Sequence, residues 1–225
     1  MKKAEMTIKK LFDTSKTMAG AMLEAYEYPW EVLPHIREII ETLGENLPKD
    51  QYKCVGKNIW IHNSVKIPPT ACLGGPTIIC EGAEIRTGAY LRGSVLVGAG
   101  AVVGNSTELK NVILFDGVQV PHYNYVGDSI LGYKAHMGAG SITSNVKSDK
   151  QLVKVHGADG DIETGLKKFG AMLGDFVEVG CGTVLNPGSV VGPRSNIYPL
   201  SSVRGCVDAD SIYKREGEIV KKEER

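Results

Sequence analysis

Eight polar or ionisable residues, Arg86, Arg92, Glu108, Lys110, His122, Tyr125, His136 and Asn145, interrupt a middle region that is otherwise aliphatic and rich in glycine. Arg92 and Lys110 together suit a phosphate or another anion, because a guanidinium offers parallel donors and an ammonium a compact charge. His122 carries the side chain that moves protons near neutral pH and is the candidate general base. On a plain surface the same residues would be only solvated, so their placement decides between the two readings. Arg92 and Lys110 are eighteen residues apart, and His122 lies twelve beyond Lys110. The closest pair of the five histidines, His122 and His136, is fourteen apart, and no metal site is expected.

The elements that must position these residues follow a period of six. Val55, Ile61, Ile67, Leu73, Ile79, Ile85, Leu91, Val97, Val103, Leu109 and Phe115 recur without a miss. Four places on in each unit the residue is mostly small or β-branched, from Ile59 and Val65 to Thr107 and Ile113. A helix of 3.6 residues per turn would smear such positions around its circumference, and a strand period of two would not place turns so regularly. Three hexads make a triangular coil of eighteen residues, whose short strands pair with those above and below at roughly 4.8 Å. The register wavers at Pro121, Val126 and Leu131, recovers at Met137, and resumes from Leu173 through Val179, Leu185, Val191 and Ile197 to Val203. The expected fold is all-β, a parallel β-helix of about seven coils, roughly 34 Å long. Its hand is not fixed by periodicity. Arg92 and Lys110 then stack in adjacent layers, while His122 falls on the third face of the following coil. One chain would not present all three to one groove unless the slipped register bends the path, whereas a homotrimer would join different faces in its grooves.

Residues 1–50 read as an N-terminal helical cap. One helix starts at Thr14 or Ser15 and runs through MAGAMLEAY. A second follows Pro29, with Val32, Ile36, Ile39 and Leu43 on one side, and stops at Gly44. Laid over an open end of the coils, they would protect unpaired strands, with Tyr28 and Trp30 as packing residues. The β-helix spans 51–207 and carries an inserted β-hairpin arm at 146–172, with its turn at Gly157 to Gly160. Residues 208–225 form a charged tail with a short hairpin around Gly217, and the last few are expected to be solvated.

The 26 basic and 26 acidic residues make a broad electropositive field, and so a nucleic-acid partner, a poor expectation. No apolar run is long enough for a membrane span, and the start lacks a secretory signal, so a cytoplasmic protein is expected. The five cysteines form no CxxC pair and read as free thiols.

The segments GAYLRGSVLVGAG, VVGNSTELKN, VPHYNYVGDSILG, MGAGSITSN and TGLKKFGAMLGDFVEVG closely resemble the left-handed β-helix acyltransferase domain of the bifunctional N-acetylglucosamine-1-phosphate uridyltransferase/glucosamine-1-phosphate acetyltransferases. They are still more similar to its archaeal-type sugar-1-phosphate relatives. The resemblance covers residues 55–207, with Arg92 to Asn145 its specific part. It implies a left-handed coil, acetyl-CoA as co-substrate, and direct acetyl transfer to an amino-sugar 1-phosphate. It assigns His122 as the catalytic base with Tyr125 three residues on. Arg92, Lys110 and Asn145 become acceptor-site residues, joined by an arm lysine, Lys150 or Lys154. Ala139 would meet the thioester region. Departures are His136, where the bacterial enzymes have an asparagine near the acceptor, Cys181 in place of a serine near the coenzyme, and Pro199 where a small residue is expected. The 225 residues have no room for the nucleotidyltransferase half, and no uridyl transfer is expected. The rival readings are a noncatalytic trimeric sugar-phosphate-binding or scaffold protein, and an acyltransferase for a nucleotide-linked amino sugar.

Overall fold

In the computed structural model residues 1–223 are described; positions 224 and 225, within the stretch expected to be solvated, lie outside the described residues. The hexads form short strands that pair in parallel with their equivalents one coil away, around the three faces of a left-handed parallel β-helix. One face, called here the site face, stacks Cys72–Leu73, Tyr90–Leu91, the first half of Glu108–Leu114, the first half of Tyr125–Leu131, Ile142–Thr143, Val184–Leu185 and Ser202–Val203. The flank face runs from Ile59–His62 through Thr77–Ile79 and Val95–Val97 to Ser189–Val191 and Cys206–Val207. The third face runs from Glu84–Ile85 through Gln119–His122 and His136–Met137 to Ser211–Arg215. Leu91, Val97, Val103, Leu109 and their equivalents point inward and are fully buried.

The register departs from strict hexads at three places, the last at the corner from Val203 to Val207, where Val191 pairs with Val207 and the coil is sixteen residues long. Val55 is not a coil position: Tyr52–Gly56 pairs antiparallel with Ile59–His62 through a turn in which Asn58 has φ of 56°, and Val55 stays 58% exposed. Phe115 and Pro121 are not inward residues either. Leu114 pairs with Val97 and Val120 with Val103, so the inward column has shifted by one. Leu109 pairs with Val126 and Leu114 with Leu131, which makes the coil there seventeen residues long. The missing residue is taken from the corner between the site and flank faces, where Asn111 and Asp128 have φ of 55° and 48°. Short polar side chains tolerate that left-handed conformation. Phe115 is instead buried against Phe12, ring centroids 5.1 Å apart.

The N-terminal cap lies along the flank of the coils. The amino group of Met1 pairs with Asp208, Asp13 N–H donates to Asp175 Oδ2 at 2.7 Å, and Trp30 stacks on Phe169 at 5.8 Å. The helix Ile36–Glu45 then crosses the rungs at Thr77–Ile79, Val95–Val97 and Val112 to Leu114, and ends against Trp60. The segment therefore runs the length of the prism as a strap, from its last coils to its first. This explains why Ile78, Leu96, Ile113, Ile130, Met172 and Val190, which point outward from the flank face, are all fully buried. The first expected helix is broken into a 3-10 turn, Thr14–Lys16, and a single α-turn, Gly20–Leu23. Its backbone is held by the coils instead: the carbonyl of Lys16 accepts from Asp116 N–H at 3.0 Å, as just before it that of Leu11 accepts from Asp175 N–H at 3.0 Å. Tertiary hydrogen bonds outweigh helix propensity there. The second opens as a 3-10 segment, Pro29–His35, and its α-helix ends at Glu45.

At the other end Ser211–Arg215 pairs in parallel with Asn196–Ile197, so the coils continue past Val207, and Glu218–Lys221 folds back around Gly217. The arm is a hairpin of Lys154–Gly157 and Gly160–Glu163, with Gly157 opposite Gly160. No helix among the described residues is long and apolar enough to cross a membrane.

Leu96 sits under the strap at the centre of the flank. Truncating it to Ala is expected to cost about 2–5 kcal/mol, the range for a fully buried leucine. Urea unfolding measures this, and a loss under about 0.5 kcal/mol, the level of a surface substitution, would show that the strap does not bury the flank.

Candidate functional site

The shortened corner gathers the sequence candidates on one face of one chain. Arg92 and Lys110 follow the paired Leu91 and Leu109, and so occupy equivalent positions in adjacent coils. Each already holds a carboxylate. Arg92 Nη1 donates to Glu108 Oε1 at 2.8 Å in an exposed pair. Lys110 Nζ donates to Asp128 Oδ1 and Oδ2 at 2.9 and 3.1 Å. Asp128, only 3% exposed, is the centre of the cluster and was not singled out from the sequence. It also accepts from Asn111 Nδ2 at 3.0 Å and from Asn145 Nδ2 at 2.5 Å. Asn111 Nδ2 reaches the carbonyl of Leu33 at 3.0 Å as well, tying the strap to this carboxylate.

Tyr125 pairs with Glu108 across the coils, and its hydroxyl accepts from Asn145 Nδ2 at 3.2 Å. Burial, then the Asp128 and Glu108 carboxylates, raise its phenol above the ordinary value, so the hydroxyl stays protonated. Its ring crosses Gly127, where a Cβ would stand 2.5 Å from the Tyr125 oxygen. Only glycine there lets the hydroxyl reach Asn145.

His122 lies at the edge where the third face turns into the site face, three residues ahead of Tyr125, with an exposed side chain. Buried Asn124 fixes this turn. Its Oδ1 accepts from His122 N–H at 3.1 Å, and its Nδ2 donates to the carbonyls of Gly138 and Ser141 at 2.9 and 3.0 Å. Along the same edge the carbonyls of His122, Ala139 and Cys181 accept from Gly140, Gly182 and Leu200 N–H at 3.0, 2.9 and 2.9 Å. His122, Ala139, Cys181 and Pro199 therefore form one ladder, a rung apart. Ala139, Cys181 and Pro199 are exposed, and the N–H groups of Ala139 and Cys181 have no acceptor among the described residues. Free backbone donors above a candidate base can receive a carbonyl oxygen.

His136 is elsewhere. It stands on the outside of the third face, and its Nδ1 lies 2.8 Å from Glu178 Oε2. Lys154 pairs with Glu163 at 2.6 Å, and Lys150 sits in a turn closed onto the Lys147 carbonyl. Neither arm lysine is hydrogen-bonded to the Asp128 cluster. The returning arm passes the cluster with its backbone, Phe169 N–H donating to the Asn145 carbonyl at 3.0 Å and Gly170 N–H to that of Asp128 at 2.8 Å, so the arm lysine next in the chain to the cluster is Lys168. The TGLKKFG segment was the available signal for it.

Coils and arm define a hexapeptide-repeat β-solenoid domain. Residues 73–197 match the family described as the GMPPB C-terminal domain, and the chain belongs to that family. It is 32% identical over 224 residues to the bifunctional protein GlmU of Methanococcus vannielii, covering 96% of this chain and 53% of the relative. It is 30% identical over 174 residues to a bifunctional sugar-1-phosphate nucleotidylyltransferase/acetyltransferase of Sulfurisphaera tokodaii, covering 69% of this chain and 43% of that one. The chain thus spans about half the length of the curated relatives it matches. Among solved structures, the acetyltransferase domain of PglB from Neisseria gonorrhoeae in complex with acetyl coenzyme A is similar with a TM-score of 0.32 and 14% identity, covering 81% of this chain and 63% of that one.

Replacing Asp128 by Asn strands the Lys110 charge. Because Lys110 is 26% exposed, the expected loss is about 1–3 kcal/mol, below that for breaking a fully buried pair. The double variant D128N/K110M should recover much of it. A double-mutant cycle by urea unfolding measures the coupling, and additive losses would mean that the two side chains do not hold one another.

Proposed function

We propose that this domain transfers an acetyl group from acetyl-CoA to the amine of an amino-sugar 1-phosphate such as glucosamine-1-phosphate. One observation carries the reading: the edge ladder of Ala139, Cys181 and Pro199 leads down to His122, at the border of the face that holds Arg92, Lys110, Tyr125 and Asn145. A donor path and an acceptor cluster thus meet at His122 and Tyr125. The name of the Sulfurisphaera relative, which pairs sugar-1-phosphate with acetyl transfer, supports the same chemistry.

In this mechanism Arg92 leaves its exposed partner Glu108 for the sugar phosphate, an exchange with little to oppose it because exposed pairs are weak. Lys110 adds its charge from a fixed position. Asn145 and the Tyr125 hydroxyl hold the sugar and aim its 2-amino group at the thioester. A ring nitrogen of His122 takes a proton from the amine as its nitrogen attacks the acetyl carbonyl. The charge on the acyl oxygen is met by backbone N–H at Ala139. Then the C–S bond breaks, and the coenzyme leaves as a thiol with the proton returned by His122. No enzyme nucleophile is required, and we take Lys168, next in the chain to the residue bonded to the Asn145 carbonyl, as the arm lysine that approaches the acceptor.

A homotrimer fits this reading. The strap covers the flank face, whereas the edge carrying the ladder exposes Tyr123 (64%) and Leu200 (85%). A second copy would bury those side chains and close the donor path.

Two measurements test the proposal. Thiol release from acetyl-CoA should depend on an amino-sugar phosphate, and His122→Ala should slow it about 10²–10⁴-fold, the usual contribution of a positioned acid-base group. A folded protein that binds the sugar phosphate but releases no thiol would favour the noncatalytic reading, and release only with a nucleotide-linked sugar would move the acceptor. Separately, Cys181 is exposed, while burial pushes the thiols of Cys80 and Cys206 up to about 12. Alkylation near pH 8 followed by mass spectrometry should label Cys181 and spare the other two, because the thiolate is the reactive form. Acetyl-CoA should protect Cys181; full labelling at saturating coenzyme would remove the ladder as the donor path.

A further inference from the structure

The column that carries Arg92 and Lys110 continues up the same corner through Gly127, Ser144 and Asn186 to Arg204. Unlike the first two cations, Arg204 is exposed and makes no ion pair among the described residues. It lies four rungs beyond Lys110, roughly 19 Å at ordinary strand spacing, too far for one phosphate to bridge the two cations, while Ser144 and Val146 on either side of Asn145 form the near wall between them.

Over Arg204 the arm folds back and encloses a cavity of about 340 Å³. Lys147, Lys154, His156 and Arg204 line it, with Asp149 as the one carboxylate and Asn186 beside it. The arm is firmly seated. Val153 and Val155 are fully buried, Val153 N–H donates to the Leu166 carbonyl at 2.7 Å, and a Cβ at Gly188 would stand 2.8 Å from the Lys154 carbonyl. Lys147, Lys154 and His156 have carboxylate neighbours in Asp149, Glu163 and Asp161 at 3.2, 2.6 and 2.9 Å. Those pairs are largely solvent-exposed and can yield to a stronger anion. Arg204 has nothing to give up, and its guanidinium fork matches phosphate oxygens. The volume suits a small molecule.

We propose that the cavity under the arm is a second anion site, which holds the phosphate of a phosphorylated small molecule on Arg204, apart from the acceptor cluster and the edge ladder.

The test is isothermal titration of pyrophosphate into the full chain carrying R92Q, which removes the acceptor-side guanidinium. One site is expected. Adding R204Q should weaken it at least about tenfold, the usual worth of a charge-assisted hydrogen bond. K154Q, on the opposite wall, should weaken it too and serves as the second variant should R204Q lower the melting temperature. Saturating coenzyme A should leave the binding in place. Absence of binding at millimolar pyrophosphate, indifference to both R204Q and K154Q, or loss of the site to coenzyme A would each overturn the proposal. In the last case the cavity would be the far end of the donor path.

Discussion

In two successive coils the corner between the site and flank faces is one residue short, and the chain rounds it as a single continuous strand, Glu108–Leu114 and then Tyr125–Leu131. Asn111 and Asp128 take up the strain in left-handed backbone conformations. The carboxylate of Asp128 is thereby drawn out of solvent, into reach of Lys110 in one direction, Asn145 in another and Asn111 in a third. A buried carboxylate must be satisfied this fully or it would not be tolerated. Lysine position, asparagine orientation and the anchorage of Leu33 in the strap all follow from that requirement.

The two candidate phosphate cations consequently differ in kind. Lys110 is bound to a buried partner, and displacing it would leave a stranded charge, a cost of several kcal/mol. Arg92 and Glu108 are exposed to 45% and 33%, in the regime where a pair contributes about 0–1 kcal/mol. An arriving dianion can therefore recruit Arg92 cheaply but must take Lys110 where it stands. In the proposed reaction the fixed cation would set where the phosphate sits, and the labile one would close on it.

The coils were legible because a period of six admits no other regular element. The slip was visible from Pro121 onward, but its start was hidden because Phe115 is apolar and happens to fall on the expected hexad position, although the inward residue is Leu114. Arg92, Lys110, Tyr125 and Asn145 were visible as polar breaks in the repeat, and the structure gathers them on one face. Asp128 was not, since one aspartate at a turn reads as turn chemistry, and only the tertiary structure surrounds it with donors. The strap left a trace that went unused. Flank rungs such as VLV, SIL and AML are apolar or buried at every position, while rungs on the other faces, such as Glu84–Ile85 and Glu178–Val179, alternate exposed and buried. Consecutive burial in a solenoid strand means that something covers the outside.

That cover decides where the rest of the molecule can meet a partner. A triangular prism has three faces, and the strap occupies one from end to end. The edge opposite the strap is the border of the site and third faces, which carries His122, Ala139, Cys181 and Pro199 together with the exposed Tyr123 and Leu200. Tyr123 and Leu200, the two most exposed large apolar side chains among the described residues, thus lie where another surface would reduce their contact with water. The same edge has backbone N–H groups, those of Ala139 and Cys181, without acceptors among the described residues. The packing that buries Leu96 and Ile130 on the far side is what leaves that line open to a neighbour.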